Sequence, residues 1–188
     1  MNCKTSPVLI YLDPGHGGSD PGAVGSTARE KDIALAVARL VGSMLTSRGF
    51  AVCYSRTSDV RVLVNSRTRQ ANRLGAAAFV SIHCNGAANA TASGVETFAY
   101  NRASRGYRLA QQIQQNLVAA TGLADRGVKT ANFAVLRDTA MPAALVELGF
   151  LTTPAEEALL CDAAWQQRAA AAIVRGVIES CCNILQQS

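Results

Sequence analysis

Short apolar runs recur along the chain and predict the strands of a sheet. Each run is a few residues long and is bounded by polar, glycine or proline residues, which is typical of buried strands. The runs are residues 8–12, 51–54, 78–83, 95–100, 133–136 and 143–148. We therefore expect a sheet of about six strands.

Between these runs the apolar residues return at helical spacing. Leu109, Ile113 and Leu117 repeat every four residues and are followed by Gly122, a residue typical of helix ends. An earlier helical face, before Gly49, consists of Ile33, Val37, Leu40, Val41 and Met44. A last helix is expected over residues 162–182.

The segment TPAEE, residues 153–157, has the features of a helix start. Thr153 stands in the capping position, Pro154 in the first turn, and Glu156 where a capping box needs its carboxylate. Helices that alternate with strands predict an α/β fold with a largely parallel sheet. A length of 188 residues suits one domain over residues 1–188, with its core within 7–180.

Three polar residues lie near the ends of predicted strands. His16 follows the first apolar run in a glycine-rich loop, His83 ends the third run, and Glu147 lies late in the last run. Open α/β sheets bind ligands at the carboxyl ends of their strands. Two histidines and a carboxylate form the ligand set of a catalytic zinc, which keeps one position open. The pattern therefore indicates a zinc site.

Each candidate also has a structural interpretation. His16 could be an incidental loop residue, and His83 could be a core histidine bonded to the backbone. Glu30 is a further candidate ligand, but residues 27–30 (TARE) also match a capping box, and the sequence leaves both interpretations open. Glu147 is flanked by apolar residues, so burying it unpaired would be costly. A buried glutamate of raised pKa suits a general base beside zinc.

Charge is concentrated in one segment. The chain has a net charge of +5, and its arginines cluster between residues 56 and 73. The cluster consists of Arg56, Arg61, Arg67, Arg69 and Arg73. Such a segment favours an anionic partner, such as nucleic acid, anionic lipid or an acidic cell-wall polymer, or is a solvated face. No aromatic residue is interleaved with these arginines, so we expect no nucleic-acid binding.

Other sequence features restrict the cellular context. No apolar run approaches the roughly 18 residues of a membrane span. The N-terminal stretch MNCKTSPVLIYLD lacks the apolar region and cleavage site of a signal peptide, which predicts synthesis in the cytoplasm unless a leader has been removed. The 6 cysteines form no CxxC pair, so a structural zinc ribbon is not expected.

Other chemistries fit the sequence less well. The stretch GHGGSDPG matches neither a dinucleotide-binding fingerprint nor a phosphate-binding loop. Cys84 follows His83 directly, and adjacent strand residues point to opposite faces, so a cysteine–histidine pair is not favoured. If the histidines are structural, the chain would instead be a binding module without catalysis.

Several segments together resemble the zinc-dependent N-acetylmuramoyl-L-alanine amidases of the amidase-3 type. They occur in the family's order over residues 7–180. The segments are LDPGHGG, REKDIAL, SRTSD, SRTRQAN, FVSIHCN, GVETFAY, DRGVK, FAVLRDTAMPAALVELGFLT and PAEEALL. The first, fifth and eighth carry the specificity of the match. The resemblance implies a twisted sheet of about six strands with helices on both faces.

The resemblance also implies roles for individual residues. One Zn²⁺ would be held by His16, Glu30 and His83, with Glu147 as the catalytic carboxylate. The substrate would be the amide between N-acetylmuramic acid and the first L-alanine of the peptidoglycan stem. Candidate residues around the site or against the substrate are Asn85, Arg67 and Asp13. Asp13 or Asp20 could orient the His16 ring, although either could equally form a turn.

Several biological roles are compatible with this chemistry. We expect a monomeric phage or prophage endolysin that reaches the cell wall after release from the cytoplasm. A bacterial sporulation or cell-separation amidase and a zinc peptidase that cuts the stem are the alternatives. A peptidoglycan-binding module is the alternative of a different class.

Overall fold

Strands and helices alternate along the chain in the computed structural model, which describes residues 7–185. The elements are β1 (Leu9–Pro14), α1 (Glu30–Thr46), β2 (Ala51–Tyr54), α2 (Val64–Arg73), β3 (Ala78–Asn85), β4 (Val95–Ala99), α3 (Arg105–Thr121), β5 (Asp125–Thr130), α4 (Ala134–Arg137), β6 (Ala143–Phe150), α5 (Pro154–Cys161) and α6 (Ala163–Leu185). The α/β class is therefore confirmed.

The strands form one sheet in the order β2-β1-β3-β6-β4-β5. Its pairs are parallel except for β4 against β6, which is antiparallel. The prediction of a mostly parallel sheet of six strands is thus confirmed. The carboxyl ends of β1, β3 and β6 lie side by side at one edge of the sheet, where this architecture places ligands.

The two faces of the sheet are covered unequally. Successive strand residues alternate between the faces, so Ile10 and Leu12 enter the large core beneath α1, α3 and α6. Tyr11 enters a smaller core beneath the short helices α2 and α4. Helices on both faces are confirmed. Because α2 has 10 residues and α4 has 4, the second face stays open towards the carboxyl ends of the central strands.

The predicted strand at residues 133–136 is wrong. This segment enters the helical turn α4, which buries Val135 and Leu136 against the smaller core. A short apolar run does not by itself distinguish a strand from a buried helical turn. The strand that completes the sheet is β5, with the sequence DRGVKT. Among the described strands it pairs with β4 alone, and an edge strand needs no apolar run, so the hydrophobic pattern does not reveal it.

The capping box predicted at α5 is also wrong, although the helix does begin at Pro154. The Thr153 hydroxyl donates to the Ala92 carbonyl, and the Glu156 carboxylate instead accepts the N–H groups of Gly94 and Phe150. Two other helices match their predicted periodicity, and α3 ends at Gly122 in the left-handed conformation. Within the part of the chain that the structure describes, no helix combines the length and hydropathy that crossing a bilayer requires.

Candidate active site

Three candidate metal ligands meet on the open face of the sheet. The Nε2 of His16 lies 3.0 Å from Glu30 Oε1, and the Nδ1 of His83 lies 2.7 Å from the same oxygen. One ligand atom from each residue falls within 4.8 Å of the other two. His16 comes from the loop after β1, Glu30 from the first residue of α1, and His83 from β3. Two imidazoles and a carboxylate are a ligand set that suits zinc.

Glu30 does not form the capping box that was its alternative interpretation. The residue before α1 is Arg29, which makes no side-chain cap, and the Thr27 hydroxyl donates to Glu157. The Glu30 carboxylate instead accepts the N–H groups of Ala23 and Cys84. Although burial opposes ionisation, its hydrogen bonds with the two histidines lower the pKa of Glu30 to about 2. Glu30 is therefore an anion at neutral pH, as a metal ligand must be.

The loop that carries His16 brings the backbone very close to the site. His16 itself has a φ of 57°, and Gly17 and Gly18 continue with positive φ. A Cβ at Gly15 would lie 2.3 Å from the His83 ring, and a Cβ at Gly22 would lie 2.3 Å from Glu30 Oε2. These glycines are needed because no side chain fits between the loop and the ligand atoms.

Two buried arginines hold this loop from below. Arg67 Nη1 donates to the Pro14 carbonyl at 2.7 Å and Nη2 donates to the His16 carbonyl at 2.8 Å. Arg56 Nη2 donates to the Gly15 carbonyl at 2.7 Å. Both side chains are buried. The expectation that they belong to a basic surface is wrong; of the arginine cluster, Arg61, Arg69 and Arg73 are exposed.

Each histidine has a further hydrogen-bond partner. His16 Nδ1 lies 2.9 Å from Asp20 Oδ2, so Asp20 rather than Asp13 contacts this ring. His83 Nε2 lies 3.1 Å from Ser81 Oγ, which donates to Asp13 Oδ2 at 2.7 Å. Asp13 is itself paired with Arg67 at 2.7 Å. Asp13 therefore acts on His83, through Ser81.

This relay places a proton on His83 Nε2. Ser81 has one hydroxyl proton and gives it to Asp13, so Ser81 can only accept from His83 Nε2–H. In the neutral ring, His83 Nδ1 then presents a lone pair towards the ionised Glu30 oxygen 2.7 Å away. A proton or a metal ion must lie between these two acceptor atoms, because they otherwise repel. The donor set therefore fits a metal ion, and Asp20 and Ser81 contact the two rings as residues that orient metal-bound histidines do.

Glu147 lies next to His83 in the sheet. The two residues are register partners in the parallel pair of β3 and β6. The Oε2 atom of Glu147 is shielded from solvent and has no hydrogen-bond partner among the described residues. Burial, followed by the charges of Glu30 and Glu96, raises the pKa of Glu147 well above its usual value. A carboxyl of this kind can both accept and return a proton near neutral pH.

Comparison with known proteins agrees with this geometry. Residues 10–179 match the family described as N-acetylmuramoyl-L-alanine amidase. The chain belongs to this family. Members of the family generally depend on zinc, and the residues that could hold the ion here are His16, Glu30 and His83.

Individual relatives show how far the likeness extends. The chain is 40% identical over 184 residues to the sporulation-specific N-acetylmuramoyl-L-alanine amidase of Bacillus subtilis. The match covers 96% of this chain and 71% of the relative. It is 41% identical over 159 residues to the endolysin of Bacillus phage SPP1, covering 81% and 58% of the two chains. The crystal structure of an N-acetylmuramoyl-L-alanine amidase from Clostridium difficile 630 superposes with a TM-score of 0.90 at 39% identity, covering 93% and 97%.

In this family member, Asn85 lies outside the ligand triad. Its Nδ2 donates to Glu96 Oε1 at 2.9 Å, and Glu96 is the register partner of Glu147 on β4. Sequence reasoning did not single out Glu96 or Ser81. The alternation along each strand could have found them, because Ser81 precedes His83 by two residues and so shares its face.

The structure of this family member argues against Cys84 and His83 as a catalytic pair. Cys84 points into the large core on the opposite face from His83 and is buried. Burial raises the pKa of the Cys84 thiol well above its usual value, with smaller contributions from Glu30 and Glu147. A thiol that is neutral and enclosed in apolar residues is not a nucleophile.

A cleft of about 360 Å³ opens beside His16 and His83, two of the three candidate ligands. His16, His83 and Asp20 line one side of it, and Val64 and Phe133 line another. Phe133 is 42% exposed at the rim. The cleft offers a substrate both an apolar wall and the candidate metal ligands.

Proposed function

We propose that this protein hydrolyses the amide bond between N-acetylmuramic acid and L-alanine in peptidoglycan. The observation that carries the proposal is the convergence of two imidazole nitrogens on one Glu30 oxygen. Beside them, the shielded Oε2 atom of Glu147 has no hydrogen-bond partner in the part of the chain that the structure describes. Membership of the amidase family supports this choice of substrate. The proposed enzyme uses one zinc ion.

His16, Glu30 and His83 would hold the ion through Nε2, Oε1 and Nδ1. When bound, Zn²⁺ supplies a Lewis acid for the scissile carbonyl and lowers the pKa of a water molecule in its open position. The chain's own residues prepare this site. Asp20 orients the His16 ring, and Ser81 keeps the His83 proton on Nε2, so Nδ1 is free to bind.

Glu147 would move the proton during the reaction. Its carboxylate takes a proton from the attacking water and then returns it to the nitrogen of the leaving L-alanine. Because the surroundings of Glu147 raise its pKa, the carboxylate is a stronger base than an exposed glutamate. The lack of a hydrogen bond to Oε2 leaves that atom available for the proton.

Digestion of purified peptidoglycan tests the proposal. We expect soluble peptides with a free N-terminal alanine, and mass spectrometry should show glycan chains that retain an unmodified lactyl carboxylate. A chelator should abolish the release and Zn²⁺ should restore it. His16→Ala and His83→Ala should purify with much less zinc than the parent protein.

Two other outcomes would replace the proposal. Fragments cut within the stem, with L-alanine still attached to the glycan, would identify a zinc peptidase. Binding to walls without release of peptides would identify a binding module. The endolysin and sporulation roles share the same bond cleavage, and both remain predictions. The similarity to the SPP1 endolysin supports the former, and the similarity to the Bacillus subtilis sporulation amidase supports the latter.

A further inference from the structure

Two cations on β5, Arg126 and Lys129, pair with Glu96, which is the register partner of Glu147. Arg126 Nε donates to Glu96 Oε2 at 2.8 Å, and Lys129 Nζ donates to the same oxygen. The two cationic side chains are 35% and 40% exposed, whereas Glu96 is buried. A single carboxylate thus faces two cations. A structural ion pair would be complete with one of them, so the cluster keeps a positive charge at its exposed edge.

The Arg126 guanidinium is fixed by its contacts but keeps N–H groups that have no acceptor among the described residues. It stacks over the Phe150 ring at 4.8 Å, and its Nη1 donates to the Ser93 carbonyl at 3.2 Å. Within the described residues, the Arg126 Nη2 group donates to no atom. Lys129 Nζ donates to Glu96 and to no other atom of these residues. A planar fork with a fixed position and unused N–H groups is suited to binding a carboxylate.

The position of the pair relative to the site follows from the sheet register. Glu147 has His83 as its partner on one side and Glu96 as its partner on the other. Neighbouring strands lie about 4.8 Å apart, so Glu96 is about 10 Å across the sheet from His83. An extended peptide spans about 3.3–3.6 Å per residue. The cations above Glu96 are therefore within one to three residues of a bond cut between His83 and Glu147.

We propose that Arg126 and Lys129 bind a free carboxylate of the peptide stem, on the leaving-group side of the scissile amide. This inference rests on the proposed function. The muramic carboxyl is consumed in the scissile amide, so the anions near the bond belong to the peptide. Where the second stem residue is an acidic amino acid joined through its side chain, its free α-carboxylate would be the first anion beyond the leaving alanine.

Two matched substrates test this assignment. They are disaccharide peptides that differ only in whether the α-carboxylate of the second residue is free or amidated. The parent protein should cleave the free acid with a kcat/KM on the order of tenfold higher, mostly through KM, since a half-exposed charge-assisted contact is lost in the amide. Arg126→Met and Lys129→Met should each reduce this preference, and the double variant should abolish it.

Controls separate this role from a structural one. Arg108→Met removes an exposed cation on α3 and should leave the preference unchanged. Equilibrium binding to the Glu147→Gln variant should show the same preference for the free acid without turnover.

Equal cleavage and equal binding of the two substrates by the parent protein would overturn the inference while leaving the proposed function intact. A loss of activity in the double variant that is equal for both substrates would also overturn it, because the cations would then serve only to hold Glu96. Failure to cleave either substrate or whole walls would instead refute the proposed function, and the binding comparison would still decide the role of the cations.

Discussion

Arg56 and Arg67 donate to the same carbonyl oxygen, that of Pro14, at 3.1 and 2.7 Å. Pro14 ends β1, and the next two carbonyls, of Gly15 and His16, also accept from these guanidinium groups. Three successive inward-facing carbonyls would be costly to bury without donors. The two arginines therefore allow the backbone to turn sharply and place the His16 imidazole beside Glu30.

Replacing Arg67 with methionine should destabilise the fold by about 3–5 kcal/mol, because Asp13 is left as a buried charge without its partner. Arg67→Lys should not restore stability, since an ammonium group cannot reach Asp13, Pro14 and His16 together. Equilibrium unfolding in urea measures both changes.

Arg69→Met is the matched control, because Arg69 is exposed on the same helix. Its unfolding free energy should stay within about 0.5 kcal/mol of the parent value. If the Arg67 and Arg69 variants were equally stable, the buried role of Arg67 would be refuted.

Gly22→Ala should damage the metal site, whereas Gly122→Ala should not. Both glycines have almost the same φ, 67° and 68°, so both variants carry a similar cost of about 1–2 kcal/mol for left-handed alanine. Only at Gly22 does the added Cβ meet ligand residues, at 2.3 Å from Glu30 Oε2 and 2.6 Å from His16 Cδ2. Zinc affinity should therefore fall at least about tenfold in Gly22→Ala alone. Equal zinc affinities in the two variants would contradict the close approach of this loop.

Glu147→Gln should keep its zinc but lose turnover by about 10²–10⁴-fold, the usual contribution of a positioned acid–base group. Its stability near neutral pH should not fall, because glutamine removes a carboxyl whose ionisation is opposed by burial, Glu30 and Glu96. Metal analysis, peptide release and urea unfolding check the three expectations. A variant with normal turnover would remove Glu147 from the mechanism.

Glu157 should make stability depend on pH in the acid range. Its carboxylate accepts from the Ser26 hydroxyl and from the backbone N–H groups of Thr27, Ser26 and Ala28, and these bonds lower its pKa from 4.5 to about 2. A depressed pKa means that the stabilisation is complete above pH 4.5 and is lost as the pH falls towards 2. The parent protein should thus be more stable than Glu157→Gln at pH 7, and the difference should shrink between these two values.

Urea unfolding at a series of pH values measures this difference. Glu179→Gln is the control, because Glu179 is exposed on α6 and its carboxylate accepts one hydrogen bond from the described residues, from the Asn116 amide. If the gap between parent and Glu157→Gln stayed constant down to pH 2, Glu157 would not be the group that titrates.

The sequence patterns revealed the helices and strands whose buried faces require apolar residues at regular positions. Apolar repeats indicated α1 and α3, and apolar runs indicated the central strands β1, β3 and β6. The sequence patterns did not predict the edge strand β5 or the helix α2, because neither has an apolar repeat. The buried face of α2 consists of Arg67, Thr68 and Ala71, and the polar part of this face serves the site rather than the core.

The sequence by itself determined the fold class, five of the six strands and two members of the candidate ligand triad, His16 and His83. His16, His83 and Glu147 could be singled out because polar groups at the ends of apolar strands share one edge of such a sheet. Only the tertiary structure decided the contacts of Glu30, Asp13 and Arg67, and it revealed those of Ser81, Glu96, Arg126 and Lys129. Most of these contacts join residues far apart in the chain, and such contacts leave no local period in the sequence.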